Sequence, residues 1–535
     1  MNKSIIKFIL VLIVALMTVT GSAQSSDDAL RDKITNAVMK VYDDQLKADP
    51  NDYNTLFARA HQHYYNGDYT AALTDVNQAL SLTPATEKEL LFDEYILRAR
   101  ISDVRKDYTS ELADLRMAQE LQPKSLPCTD LIAKANLKAG NLDAAEKAFK
   151  TILRAESINY DAMYGLAQVE QARGNSTAAI EQVNKAVELF RTEPQVYVNR
   201  AGIYASQGNI DAAVVDLLQG MNVGDGGVAA QRLFELSDNN YDGVMQSLSN
   251  LADKATDSGM FRFLRANIAL DHLHYGQALS DLNFIKRNNL YNSPVVSFLT
   301  AKCNLELARY DEALTHVTQA IQADPTQPEF YLVKALAAFN AGEGNHYDAA
   351  FEALHSCSLI APQYVPMLLA KADLYAKQGD DNEALGYLNA ALANEPGNAE
   401  ALLSRALLFK RINNMNLAVK DLNTMTHLSD DVLDLKGLAL SELGRDTDAF
   451  KWLNGVTAVN QPGGENFYYA ALFMALKGDS FKAMEYVQKA IDNGYGSLYK
   501  LKYDELSSLN LKSLRGESGF DLLIDKAQRN FTERH

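Results

Sequence analysis

"AGNLDAAEKAF", residues 139–149, sets Gly140, Asn141, Asp143 and Glu146 within eleven positions. Such a polar cluster is either a small binding site or a joint in the chain. Thirty-four residues on, the chain reads "RGNSTAAIEQV" (173–183), and thirty-four further on "QGNIDAAVVDL" (207–217). A cluster that returns at a constant step is a joint, because self-similarity at a fixed period marks a stack of equal structural units.

The step carries well beyond these three copies. Ala133, Ala167 and Ala201 are in register, as are Gly140, Gly174 and Gly208, and Ala145, Ala179 and Ala213. The same offset links Ala301 to Ala335, Ala372 to Ala406, Ala384 to Ala418, Gly444 to Gly478 and Ala449 to Ala483. Before and after each glycine the apolar residues fall three and four apart, the spacing of one helix face, so each unit reads as two amphipathic helices and a tight turn. Glycine supplies the left-handed residue that ends the first helix. An N-cap for the second helix is expected three residues later, at Thr70, Thr109, Asp143, Thr177, Asp211, Asp311, Asn382, Asn416 and Thr447. The alanines mark places where the two helices touch. Pro84, Pro123, Pro325, Pro362 and Pro396 close units because proline cannot continue a helix.

These residues resemble the tetratricopeptide repeats. "LFARAHQHYYNGDYTAALTDVNQALSLTP" (56–84) carries Ala60, Gly67, Tyr69, Ala72, Ala79 and Pro84 at the family's positions, and "LTAKCNLELARYDEALTHVTQAIQADP" (299–325) carries Ala301, Tyr310, Ala313, Ala320 and Pro325. The resemblance implies an all-α fold, a right-handed superhelical solenoid of about thirteen helix-turn-helix repeats. Their starts are expected near Tyr53, Phe92, Leu126, Tyr160, Pro194, Asp225, Gly259, Pro294, Pro328, Val365, Ala399, Asp430 and Gly464.

The expected organisation is a signal peptide (1–23), an N-terminal capping helix (24–52), a first array (53–224), an irregular repeat forming a bend (225–258), a second array (259–497) and a C-terminal capping segment (498–535). The irregular repeat has Arg232 and Val244 where alanines are expected, and the ninth carries an insertion at "NAGEGNHYDAA".

Residues 1–23 set Lys3 and Lys7 around the start of the apolar run Phe8–Val19, followed by Gly21 and Ala23 at the positions a signal peptidase reads. The run is shorter than the roughly 20 residues of a membrane span, so removal is expected, leaving no integral membrane segment. Export to the periplasm or envelope of a bacterium, or secretion, follows as an expectation. The formal net charge of -17 repels phosphate backbones, so no nucleic-acid partner is expected. Cys128, Cys303 and Cys357 are too few and too widely spaced for a disulfide framework or zinc cluster, and read as buried thiols.

Other candidates weigh little. "DNNYDG" (238–243) opens like a calcium loop, but the closing glutamate would fall on Ser249. The histidines of "HQH" (61–63) and "DHLH" (271–274) lie two apart, on different helix faces. "VGDGG" (223–227) lacks the lysine of a phosphate loop. No G-x-S-x-G elbow or kinase motif set occurs. The expectation is therefore no enzyme, no cofactor and no metal.

What remains is the groove that, in the family resembled, the first helices line. In this register the inward residues are Phe57, His61, Ile96, Arg100, Tyr164, Gln168, Phe263, Asn267, Phe298, Lys302, Leu369, Asp373 and Tyr468. Family members that clamp a partner's terminal carboxylate hold lysine and asparagine where this chain has Phe57 and His61, so the row points instead to an extended peptide or helix. The function expected is an exported scaffold binding a protein or peptide partner. The alternative is a binding module for a small-molecule or glycan ligand in envelope uptake or assembly, and a hidden enzyme is third; for the inward residues themselves the rival reading is that many only pack the next repeat.

Overall fold

The computed structural model describes residues 24–533 except 225, 256–258, 292, 343–345, 428–434, 459–461 and 505–508. The expected signal and its cleavage point lie outside these residues. Helices dominate, and no strand occurs among the described residues. The twenty-five helices from Tyr53–Tyr65 to Ser480–Asp492, one of them broken in two at Asn240, make thirteen consecutive pairs. Most pairs start within two residues of the expected positions. The second starts one turn earlier, at Lys88, and the expected start at Asp430 lies outside the described residues.

The turn inside each pair is tighter than the sequence reading supposed. Gly140, at φ 78, donates its N–H to Leu137 O at 3.1 Å, and the Asn141 N–H reaches back to Asn136 O at 2.8 Å. Those two bonds close the first helix in a Schellman motif. The Asn141 carbonyl already accepts from Ala145 N at 3.0 Å, the first bond of the next helix. One residue thus ends one helix and caps the next. The N-caps are accordingly Asp68, Asp107, Asn141, Asn175, Asn209, Arg309, Asp380 and Asn414, not the residues expected two positions later. Asp68, Asp107, Asn209 and Asp380 accept an N–H of the opening turn. Thr70, Thr109, Asp143, Thr177, Asp211, Asp311, Asn382, Asn416 and Thr447 all sit inside the first turn. Asp143 is fully exposed and pairs with Arg173 of the next repeat at 2.6 Å.

The alanines are where they were expected to be. Ala72, Ala145, Ala179, Ala213, Ala313, Ala384, Ala418, Ala449 and Ala483 are completely buried, and so are Ala60, Ala133, Ala167, Ala301 and Ala406 of the first helices. A methyl group at these crossings lets the two backbones approach, and larger side chains alongside fill the space between repeats. Phe149, Ile152, Leu166 and Val169 do so around Ala133, Ala145 and Ala162.

The chain divides into two compact units, residues 26–244 and 245–535. In the first, the Gln24–Ala48 helix sets Leu46 against Leu56 and Ala79 of the first pair. The division falls within the Gly227–Lys254 helix, whose Asn240 has φ -143, ψ 46. "DNNYDG" is therefore two helix ends around one non-helical residue rather than an open loop. In the second unit the Tyr275–Arg287 helix packs on Phe520–Glu533, close enough that a Cβ on Gly276 would lie 2.3 Å from Phe531 O. Among the described residues no helix is long and apolar enough to cross a membrane. Cys128, Cys303 and Cys357 are buried free thiols, and burial pushes Cys128 up to about 11 and Cys357 to about 12.

Four turns place a side chain where eight others have a left-handed glycine: Lys106, Leu273, Ala308 and Asn413 all have φ near +60°. A left-handed Cβ costs roughly 1–2 kcal/mol, partly offset by the lower chain entropy of a non-glycine residue when unfolded. Ala308→Gly is expected to stabilise the second unit by about 0.5–1 kcal/mol. Gly208→Ala should destabilise the first by a similar amount, both read from urea midpoints.

Candidate functional site

In the first unit the first-helix face is aromatic and partly open. Phe57, His61 and Tyr65 follow one another along the Tyr53–Tyr65 helix, with ring centroids 5.7 and 5.0 Å apart. Phe57 and His61 are half-buried, and Tyr65 is 65% exposed. The neighbouring Lys88–Val104 helix contributes Ile96, half-buried, and Arg100, exposed. Partial burial, with Arg100 close by, lowers the His61 imidazole below its usual range, against the opposing pull of Asp93. Two repeats on, Tyr160 and Tyr164 stack in parallel at 6.3 Å, and Gln168 lies one turn beyond. Burial raises the Tyr164 phenol, while Arg232 and Gln168 pull it back. Polar bonds tie successive first helices: Lys138 to Asp103 at 2.6 Å, Gln171 to Ser206 at 2.5 Å, and Tyr160 to Asn199.

The second unit differs. Phe263, Asn267 and Tyr468 are buried and present no surface to a ligand, which corrects the expectation that they line an open groove. Phe263 meets Tyr291 edge-on at 6.1 Å, the Asn267 side chain donates to Phe263 O at 2.7 Å, and Tyr468 stacks on Tyr495 at 4.8 Å. Each is used up in packing. Phe298 is half-buried and stacks on Phe330 at 4.7 Å, Leu369 and Asp373 are half-buried, and Lys302 is exposed.

His61 and His63 separate as the helix period requires, whereas His272 and His274 stand on either side of a turn, as the C-cap of Met260–Asp271 and the N-cap of Tyr275–Arg287. His61 turns to Arg100 and Asp93, whereas His63 lies 3.9 Å from Asp75.

A recurrent ionic fork escaped the sequence reading. Arg59 chelates Asp75, Arg98 Asp114, Arg200 Asp216, Arg265 Asp281 and Arg405 Asp421, each with two N–H···O bonds of 2.5–2.9 Å. The remaining guanidinium nitrogen reaches Asp43, Asn77, Asn184, Ser249 or Asn389 on the preceding helix layer. Arginine immediately before the first-helix alanine, with aspartate sixteen residues later, was the available signal. The aspartates are at most 7% exposed, so losing the arginine strands a buried carboxylate, at a cost on the order of 3 kcal/mol. Asp216 holds the Arg200 guanidinium above its usual range. A cleft of about 620 Å³ beside this pair includes Asn184, Arg191 and Tyr204, but its buried charges already neutralise each other.

Over the described residues, thirteen consecutive helical hairpins define an α-helical repeat protein. Residues 131–194, 263–328 and 369–425 match the model of the tetratricopeptide repeat family. It is similar to human tetratricopeptide repeat protein 16, 26% identical over 164 residues, covering 28% of this chain and 18% of the relative. It is also similar to the chicken (Gallus gallus) DnaJ homolog subfamily C member 3, 22% identical over 324 residues, 55% of this chain and 64% of the relative. The matched stretches thus span less than two thirds of either relative. Among solved structures, yeast Tom70 aligns with a TM-score of 0.37 at 13% identity, over 83% of this chain and 97% of that one.

Glu94 is a buried carboxylate between the first two repeats, completely covered, with one oxygen unpartnered. Thr83 Oγ1 lies 2.7 Å from Glu94 Oε1 and 2.9 Å from Ala79 O. One hydroxyl proton serves one of these, so a proton on the carboxyl supplies the other. Burial pushes Glu94 up to about 7 despite the Thr83 bond. Its contribution to stability is full below the ordinary 4.5 and is lost as pH rises through about 7. Glu94→Gln should leave stability unchanged near pH 4 and raise it by about 1–3 kcal/mol at pH 8, measured by urea unfolding.

Proposed function

We propose that the chain is an exported, non-catalytic scaffold that holds a protein or peptide partner on the first-helix face of its first unit. The observation that carries this reading is the set of aromatic side chains left partly accessible on that face, Phe57, His61 and Tyr65 by Arg100 and, two repeats on, Tyr164. Folded chains bury most of their large aromatic side chains, and rigid rings with flanking polar groups are the usual anchors of peptide recognition. The tetratricopeptide repeat match supports a polypeptide as ligand. The acidic balance and the absence of a basic stripe in the sequence weigh against nucleic acid.

Export rests on residues 1–23 alone, where a short apolar run precedes Gly21 and Ala23. Mass spectrometry of the protein from producing cells should find a mature chain beginning near Gln24. An intact Met1 in the envelope fraction would mean a retained anchor.

The partner test is crosslinking of the mature chain in envelope extract, followed by affinity measurement with the captured polypeptide. Tyr164→Ala should weaken binding at least tenfold with little change in the unfolding midpoint. Unchanged affinity in both Tyr164→Ala and Phe57→Ala would remove this face from the reading.

A further inference from the structure

In the second unit part of the face formed by the first helices is already occupied. After the last repeat, the chain from Gly494 turns back over five of its first helices or their ends. The Tyr495 ring stacks at 4.8 Å, 7° from parallel, on Tyr468 of the Glu465–Leu476 helix. Gly496 lies so close to the turn after Met260–Asp271 that a Cβ there would sit 1.9 Å from Leu273 O. Ser497 Oγ donates to Glu306 Oε2 at 2.5 Å, at the end of Pro294–Glu306, and accepts the Lys500 N–H at 3.0 Å. Tyr499 joins the core formed by Ala301, Leu305, Phe330, Val333 and Ala337 of the Pro294–Glu306 and Pro328–Ala341 helices. Burial opposes the Lys500 ammonium, but Tyr469, Glu306, Glu465 and Glu400 of Ala399–Arg411 together hold it above its usual range.

This is how a peptide is held in a groove. Aromatic anchors sit in pockets, one polar side chain is bonded on both sides, and a cation is set among carboxylates from three separate repeats. Where a terminal cap would cover only the last helix pair, this segment reaches back as far as the Leu273 turn. The local backbone agrees. Residues Tyr499–Tyr503 form a single π-turn, with the Asp504 N–H bonded to Tyr499 O at 2.8 Å and the Tyr499 hydroxyl to Asp504 Oδ1 at 3.1 Å. Such a turn is not a piece of the repeat pattern, which runs in α-helices elsewhere.

We propose that residues 494–502 are a built-in ligand of the second unit, and that the site they fill takes a peptide with two tyrosines four apart and a lysine directly after the second. While the segment is seated, the site is closed to other chains. This deepens the scaffold reading and rests on it for the idea that first-helix faces bind peptides. It does not depend on the first unit, so its test is separate from that of Tyr164.

The probe is a fluorescent peptide of sequence GYGSLYKLK, residues 494–502, added to the full chain. Gly496→Ala should unseat the resident segment, because the added Cβ meets a backbone oxygen that cannot move away cheaply. The variant is expected to bind the peptide at least tenfold tighter than the wild type, and a peptide with both tyrosines changed to serine should not bind. Tyr499→Ala, which removes an anchor without touching the backbone, should act in the same direction. Hydrogen exchange of the wild-type chain supplies the second measurement: amides of 496–504 should exchange faster than those of Pro294–Glu306, by local opening. Folded variants that bind no peptide would overturn the proposal. So would exchange of 496–504 only on global unfolding, which would make the segment part of the core.

Discussion

The structure depends on a turn in which one residue serves two helices. Asn141 completes the hydrogen bonding of the helix before it and opens the helix after it, leaving only Gly140 between them in the left-handed conformation. A connection so short allows the second helix one direction, antiparallel and in contact with the first. Contact at that distance admits only a methyl group at the crossing, which is why Ala145, Ala179 and Ala213 are fully buried. Larger side chains are displaced to the sides of the crossing, where they meet the next pair. Each unit of structure is unable to bury its apolar surface alone and is completed by its neighbours.

Charge is managed in the same repeating frame. The arginines at 59, 98, 200, 265 and 405 bridge the two helices of a pair and reach the helix layer before it, so each fork fixes both the pair and its stacking. Bidentate geometry and a third acceptor satisfy most of the guanidinium, which makes these ions tolerable at low exposure. In the tenth pair the same two positions hold Lys371 and Tyr387, and the ammonium lies over the ring at 5.2 Å. Polar contacts with this spacing give register to a core that is otherwise mostly alanine and branched apolar side chains.

Much of this could be read along the chain. The period, the number of helix pairs, the left-handed glycines and the buried alanines are local in origin, and each appears at the expected positions. A count from the glycine puts the N-caps two residues late, because it cannot show that closing one helix and starting the next share Asn141. The forks left a visible trace, arginine before alanine and aspartate sixteen on, but a charge pair has no meaning until the two helices are known to lie side by side.

The candidate face shows where local information ends. Phe57, His61, Ile96, Arg100, Tyr164 and Gln168 keep some accessible surface in the first unit, whereas Phe263, Asn267 and Tyr468, at comparable positions in the second, are buried. Nothing in the repeat period distinguishes the two sets. By itself the sequence determined the helices, their turns and their pairing, since those follow from contacts among residues within one or two repeats. Only the tertiary structure decided which faces stay open: Tyr468 is closed off by Tyr495 of the segment that follows the repeats, and Ser497 of that segment bonds to Glu306, 191 residues away. A contact of that separation is set by the accumulated geometry of many repeats, and no single stretch of sequence carries it.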